Sequence, residues 1–339
     1  MNCSTPLRWS GVMPAITTPL ASSGEVDFDG AASHAQWMID QGCDGVVVGG
    51  SLGEGQSLCT EEKCELWRRI SSQLRDHAPV IAAIGSASTR EGCSLATRAE
   101  ESGCNALMIL PPYVHSGDER EALHHVETIA RATNLPAMIY NNPTAYRADF
   151  SAQSLAALAS RLPNVRAVKD STGDARRIAQ LVELVQRGDA PSELVVFVGL
   201  DDIVPEGVAA GAQGWVAGLA NALPVASVAL WKLAKEQRRS SPSEPFAQPL
   251  HGKVSAEEVN SAFLQLLRMD TLPDFVQRIK FVQSRFGHGS EQVRPPRLPL
   301  GSGERDECVL ETRTAIRALE RLGIPTTAMV SNDLGVSSQ

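Results

Sequence analysis

The chain has 339 residues, of which 43% are hydrophobic and 21% are charged, with a formal net charge of −8. This composition is typical of a soluble globular protein with a large core, and the length suits an α/β barrel that carries an extension. The acidic balance argues against a nucleic-acid partner. We expect no membrane span, because no uninterrupted apolar run reaches about 18 residues. We expect no secretory signal, because the N-terminal residues lack an apolar core.

Short apolar runs alternate along the chain with longer amphipathic stretches, giving eight strand–helix units. The runs are continuous, as in strands that are covered on both faces. Helix start signals are Thr60 before two glutamates, Ser88 followed by Glu91, and Ser151, whereas Gly42 and Gly103 suit helix ends. The predicted strands are Gly11–Thr17, Gly45–Val48, Val80–Ile84, Ala106–Leu110, Ala137–Tyr140, Val165–Val168, Leu194–Val198 and Gly214–Ala217. The predicted helices are Asp27–Gln41, Glu61–Arg75, Thr89–Glu101, Glu119–Ala132, Ser151–Ser160, Asp174–Gln186, Ile203–Ala210 and Pro224–Lys235.

Eight such units predict a closed (β/α)8 TIM barrel over residues 1–235. A Rossmann-type sheet would carry GxGxxG after its first strand, where this chain has Thr17-Thr18-Pro19. An open sheet of six strands is the alternative if two of the weaker strands are misassigned.

Beyond the barrel, residues 236–339 predict a C-terminal helical extension. The polar, Pro/Ser-rich segment Gln237–Pro249 predicts a linker or exposed loop, and the tail after Thr326 is expected to fray. The predicted helices of the extension are Ala256–Met269, Pro273–Arg285 and Asp306–Leu322.

The seven cysteines are odd in number and form no CxxC pair, so we expect reduced thiols in a cytoplasmic protein. The adjacent His124 and His125 diverge on a helix and share a metal poorly. Asp201 and Asp202 could be half of a magnesium site, but no partner carboxylates accompany them. We therefore expect neither a metal nor a cofactor.

Barrel active sites lie at the C-terminal ends of the strands, where three segments here carry suitable groups. Gly49–Gly55 reads GGSLGEG, and its glycines would let backbone N–H groups approach an anion such as a carboxylate. A tight turn would also explain these glycines, and the absence of GKS or GKT argues against a nucleotide. Tyr140–Pro143 ends the fifth strand with a phenol that could move protons or could simply face water.

The third segment, Val168–Ser171, ends the sixth strand with Lys169. An unpaired ammonium is expensive to bury, and a desolvated lysine can instead lose its proton and become a nucleophilic amine. The alternative is a side chain that merely emerges at the rim of the barrel.

Together these segments resemble the dihydrodipicolinate synthase / N-acetylneuraminate lyase family. The matching motifs are PAITTPL (14–20), GSLGE (50–54), PPY (111–113), YNNP (140–143), VKDSTGD (168–174), GLDD (199–202) and GAQGWVAGLAN (211–221). The resemblance implies a class I lyase, often a homotetramer, in which Lys169 forms a Schiff base at C2 of a small 2-oxo acid or imine. Tyr140 would shuttle protons with Ser51 as its relay. The implied substrate-binding residues are Gly50, Leu52, Tyr113, Asn142, Val216 and Gly218.

Three departures from the synthases concern the substrate. The synthases carry a Thr-Thr pair where this chain has Ser51 and Leu52, a second tyrosine where it has Val114, and an arginine where it has Ala145. The neuraminate lyases share the Gly-Ser pair of the loop but differ around Tyr140. Lysine biosynthesis is therefore the less favoured activity.

YNNP with Tyr146, VAGLAN, FVQRIK and VRPPRLPL instead resemble the 1-pyrroline-4-hydroxy-2-carboxylate deaminases of hydroxyproline catabolism. That resemblance implies dehydration and deamination to 2,5-dioxopentanoate and ammonia. The alternatives are a 2-keto-3-deoxy sugar acid aldolase or dehydratase, a 4-hydroxy-tetrahydrodipicolinate synthase, and a non-catalytic sensor of 2-oxo acids. A sensor would need neither Tyr140 nor Lys169.

Overall fold

In the computed structural model, which describes residues 7–75, 77–115, 117–240 and 254–326, eight parallel strands form one sheet. The order is β1-β8-β7-β6-β5-β4-β3-β2, and a parallel bridge between Ala15 and Val47 joins its two ends. The closed barrel confirms the predicted fold and excludes the open six-stranded sheet. The strands are β1 (Gly11–Val12), β2 (Val46–Val48), β3 (Val80–Ile84), β4 (Ala106–Ile109), β5 (Ala137–Asn141), β6 (Val165–Asp170), β7 (Val195–Val198) and β8 (Gly214–Trp215).

The helices lie close to their predicted positions and cover the barrel. Ser88 and Ser151 cap their helices as predicted, each accepting a backbone N–H with its hydroxyl. The prediction for Thr60 is wrong, because Cys59 precedes the helix and its backbone N–H donates to Glu62 over 2.9 Å. The barrel helices are α1 (Phe28–Asp40), α2 (Thr60–Leu74), α3 (Thr89–Glu101), α4 (Glu119–Ala130), α5 (Pro143–Tyr146), α6 (Ala152–Arg161), α7 (Ala175–Arg187), α8 (Val204–Ala210) and α9 (Pro224–Ser240).

The extension contains α10 (Ala256–Leu267), α11 (Phe275–Arg285) and α12 (Ser302–Arg321), near the three predicted helices. Because α9 continues to Ser240, the prediction of a loop from Gln237 is wrong at its start. The remainder of that predicted loop, and the tail after residue 326, lie outside the described residues. Helix α10 packs on α9 and α12, and a 3₁₀ turn at Arg268–Thr271 leads from α10 to α11.

Helix α11 is bound to the barrel by buried polar contacts. Lys280 Nζ donates to Glu54 Oε1 over 2.7 Å, and both side chains are at most 1% exposed. Gln283 accepts from the Thr17 hydroxyl over 2.7 Å. These contacts join the extension to the loops after β1 and β2, where the barrel opens.

Three sequence-based expectations concern groups away from the barrel mouth. All six cysteines in the described part of the chain are free thiols, and three of them are buried. Within those same residues, no group of histidines, cysteines and acids is arranged to hold a metal ion. None of the helices that the structure describes combines the length and the apolar character needed to cross a membrane.

Candidate active site

A cavity of about 400 Å³ opens at the C-terminal ends of the strands. All the predicted site residues except Tyr113 line it. Tyr113 lies outside the lining with 38% of its surface exposed. The cavity lining also includes residues that the sequence did not indicate as part of the site, in particular Ser171 after β6 and Asp270 in the helical extension.

Lys169 and Tyr140 are brought together by the pairing of β5 with β6. They are direct partners in the parallel register, so their side chains project from the same face. Lys169 Nζ lies 4.2 Å from the centre of the Tyr140 ring. Burial lowers the pKa of the Lys169 amine, against the opposing effect of Asp270, Tyr146 and Asp201. The geometry therefore favours a nucleophilic amine over a lysine that emerges at the rim.

Tyr140 is held in the cavity as a phenol rather than a phenolate. Burial raises its pKa to about 12, and hydrogen bonding to Asn142 partly offsets this. Asn142 Nδ2 donates to the Tyr140 hydroxyl over 2.8 Å, while Asn142 Oδ1 accepts from the backbone N–H of Ala145 over 3.0 Å. The Asn142 amide thus orients the Tyr140 phenol, in addition to lining the cavity.

Ser51 and Tyr146 form a hydrogen bond that sequence reasoning missed. The Ser51 hydroxyl pairs with the Tyr146 hydroxyl, whereas the resemblance implied Ser51 as the relay of Tyr140 and gave Tyr146 no role in it. The Tyr146 ring stands edge-on to Tyr140, with 5.7 Å between ring centres, and burial raises its pKa. Tyr146 is in α5, whose N-cap is Asn142, so the YNNP segment positions both phenols.

The glycine-rich loop after β2 is held by close backbone contacts. A Cβ on Gly55 would lie 1.9 Å from the carbonyl oxygen of Gly49, so a side chain there would force the loop open. Gly49 itself has a φ of 79°, which favours glycine. The resulting turn presents Gly50, Ser51 and Leu52 to the cavity, consistent with a backbone site for a carboxylate.

Two acidic side chains stand near Lys169 on the β7–β8 side of the cavity. Asp201 accepts from Trp215 Nε1 at 3.0 Å and from the backbone N–H groups of Gly218 and Leu219. It therefore shapes the loop after β8, and no carboxylates among the described residues join it in an arrangement that could hold magnesium. Burial raises the pKa of Asp201 to about 6, and its three hydrogen-bond donors oppose that rise.

Asp270 belongs to the turn between α10 and α11 and faces the same part of the cavity. Burial and the neighbouring Asp201 raise its pKa to about 8, although Lys169 opposes them. No sequence signal marked it, because it lies 101 positions from Lys169 in a segment that resembles an ordinary amphipathic helix end.

Comparison with known proteins agrees with this geometry. The model of the "Dihydrodipicolinate synthetase family" matches residues 8–312. The 4-hydroxy-tetrahydrodipicolinate synthase of Aromatoleum aromaticum is 29% identical over 90% of this chain and 98% of its own length. The synthase of Methylacidiphilum fumariolicum SolV superposes with a TM-score of 0.82 at 24% identity, over 93% of this chain and 99% of that one. The chloride-inhibited dihydrodipicolinate synthase of Acinetobacter baumannii, complexed with pyruvate, gives 0.78 at 26% identity, over 94% and 100%.

The barrel, its buried lysine and these similarities define a class of enzyme, the class I lyases that act through a lysine Schiff base. More narrowly, the chain belongs to the dihydrodipicolinate synthetase family.

Proposed function

We propose that the chain dehydrates and deaminates 1-pyrroline-4-hydroxy-2-carboxylate, giving 2,5-dioxopentanoate and ammonia, with Lys169 as the Schiff-base lysine. The observation that carries this choice is the charge of the cavity wall. Among the described residues that line it, Lys169 is the only cation and Asp270 is the only acid.

This charge distribution favours a substrate with one carboxylate. A second carboxylate, as in aspartate semialdehyde condensed with pyruvate or in a deoxy-oxo-aldarate, would find no cation to pair with it among the described lining residues, because Lys169 is taken up by the Schiff base. Ala145 and Leu52 add no charge to the wall. The cyclic imine has a single carboxylate, which would bind the backbone of Gly50–Leu52, and its ring opening releases an amine that is compatible with a nearby acid.

The first half of the reaction uses Lys169 and Tyr140. The neutral Lys169 amine adds to C2, and the C2–N1 bond breaks as N1 takes one proton from Nζ and one from the Tyr140 phenol. A protonated ketimine and a free C5 amine result. The Tyr140 phenolate then removes a C3 proton, because the protonated ketimine nitrogen accepts the electron pair, and an enamine forms.

The second half expels one water and consumes two. The enamine releases the 4-hydroxyl as water, and proton shifts along C3 to C5 give an imine at C5. One water hydrolyses that imine and releases ammonia, and another hydrolyses the lysine ketimine and releases 2,5-dioxopentanoate. The Tyr146–Ser51 hydrogen bond, beside Tyr140, offers a path by which protons could reach the buried phenol.

The test is trapping of the covalent intermediate with a matched control. Borohydride with the pyrroline should add substrate mass to Lys169 in the wild type, and Lys169→Met should lose both the label and turnover. Lys63→Met removes another buried lysine, one that lies outside the cavity, and should keep both. Turnover of 2-keto-3-deoxygluconate, or condensation of pyruvate with aspartate semialdehyde, in place of pyrroline turnover would contradict the proposal.

The implied homotetramer, the cytoplasmic location and the division at residue 235 stay predictions, and each requires its own measurement.

A further inference from the structure

The carboxyl of Asp270 is brought to the barrel mouth by the helical extension. Its 3₁₀ turn, Arg268–Thr271, lies against the turn that follows β7, and the Asp201 backbone N–H donates to the Asp270 carboxyl. A Cβ added to Gly218 would lie 3.4 Å from Asp270 Oδ1 and 3.2 Å from Asp201 Oδ2. The two carboxyls therefore meet beside Gly218, and a side chain at that position would have to displace them by a few tenths of an ångström.

The two acids differ in what they can do. Asp201 is fully buried and its oxygens are occupied by three N–H donors of the β8 loop. Asp270 forms no ion pair within the described part of the chain, although Lys169 stands close enough to influence it, and its side chain reaches the cavity surface. Asp270 is thus the acid that can exchange a proton with a bound molecule.

The reaction proposed above does not assign the donor of one proton. The 4-hydroxyl must be protonated as it departs, because hydroxide is a poor leaving group in a buried site. Tyr140 becomes a phenol again when it takes the C3 proton, but its pKa of about 12 makes it a much weaker acid than Asp270, and the Tyr146 hydroxyl is bonded to Ser51. Among the described residues that line the cavity, Asp270 carries the only carboxyl group.

We propose that Asp270 is the catalytic acid that protonates the 4-hydroxyl group as the C4–O bond breaks. This inference rests on the proposed function, and it assigns the proton donor to the helical extension instead of to a barrel strand. In the step, the enamine pair forms the C3–C4 double bond, the C4–O electrons leave with the oxygen, and the Asp270 proton completes the water. The Asp270 carboxylate then takes the proton that C5 loses in the following shift, which restores the carboxylic acid.

The charged surroundings agree with this role. Asp201 and Asp202 from the turn after β7 favour the protonated carboxyl, while Lys169 from β6 favours the carboxylate. Burial outweighs Lys169, and a pKa of about 8 keeps most of the Asp270 population protonated at neutral pH. A group with this pKa is suited to donate and recover a proton within one turnover.

The experiment compares the full chain with Asp270→Asn, which preserves size and the acceptor for the Asp201 N–H. Asp306→Asn is the matched control, because Asp306 is an exposed acid on α12 of the same extension and lies outside the cavity lining. We expect Asp270→Asn to lower kcat on the pyrroline by about 10²–10⁴-fold, the usual contribution of one placed acid, and Asp306→Asn to stay near wild type.

Two further measurements locate the step. Borohydride should trap Asp270→Asn as the adduct that still carries the 4-hydroxyl, heavier by one water than the dehydrated adduct. Deuterium from solvent should still enter C3 of the bound substrate, because Tyr140 and Lys169 are intact. Asp270→Ala provides the same readouts if the asparagine amide itself perturbs the site.

The outcomes separate the two proposals. Failure of the wild type to turn over or trap the pyrroline would overturn the proposed function and this inference with it. Wild-type turnover with an equally active Asp270→Asn would overturn the inference alone. If Asp270→Asn lost both the C3 exchange and the dehydration, Asp270 would act at an earlier step, and that result would also overturn the inference. Trapping of the hydroxylated adduct with C3 exchange retained is the result that supports it.

Discussion

The buried ion pair between Glu54 and Lys280 gives the sharpest prediction about stability. Glu54 closes the loop that presents Ser51 and Leu52, and Lys280 reaches it from α11 over 2.7 Å with both side chains at most 1% exposed. Lys280→Met would leave a buried carboxylate without its main partner, which typically costs about 3–5 kcal/mol. The Arg294 backbone N–H still donates to Glu54 over 2.9 Å, so we expect the lower end, about 3 kcal/mol.

A double-mutant cycle in urea, followed by tryptophan fluorescence, would measure this cost. Lys280→Met and Glu54→Gln should each destabilise the fold, and the combined variant should be more stable than the sum of the two predicts, since neither charge is then left unpaired. Arg187→Met is the control, because its ion pair with Glu183 is exposed on α7 and should contribute less than about 1 kcal/mol. A Lys280→Met cost below about 1 kcal/mol, or strict additivity, would refute the reasoning.

Three other predictions concern the cavity. Tyr146→Phe should lower kcat by about 10²-fold or more with the Lys169 adduct still trapped, if its hydroxyl relays protons; an unchanged kcat would remove it from the path. If protonated Asp270 is the acid, kcat should fall as pH rises through its pKa of about 8, and a profile that stays flat to higher pH would contradict this role. Gly218→Ala should impair turnover because its Cβ would lie 3.2–3.4 Å from the carboxyls of Asp201 and Asp270; wild-type kinetics would show that the loop yields freely.

Much of the fold was predictable because each strand–helix unit encodes its own pattern. Continuous apolar runs indicate strands that are covered on both faces, and the helix bounds mostly follow from periodicity and caps such as Ser88 and Ser151. The exceptions have local causes: Cys59 takes the position before α2 that Thr60 was expected to hold, and α9 runs on through polar residues to Ser240. Periodicity alone does not show where a polar helix end stops.

Lys169 and Tyr140 could be predicted as candidates because each interrupts an apolar run with a group that is costly or unusual at a strand end. Their alignment could not. The register between β5 and β6 shifts after Ala137, so that Met138 pairs with Ala167 and Tyr140 meets Lys169. Without that shift Tyr140 would pair with Val168, the residue before Lys169. The Lys169 side chain would then project from the opposite face, since a slip of one residue exchanges the two faces of a strand.

The sequence by itself determined the barrel and marked Lys169 and Tyr140 as candidates, because both depend on patterns within single strands. Only the tertiary structure decided that Tyr146, rather than Tyr140, bonds to Ser51, and that Asp270 faces Lys169 from the extension. Such contacts join residues that are about a hundred positions apart in the chain. Nothing in a local pattern records them, since they arise only when the barrel has closed and α11 is locked against it through Lys280.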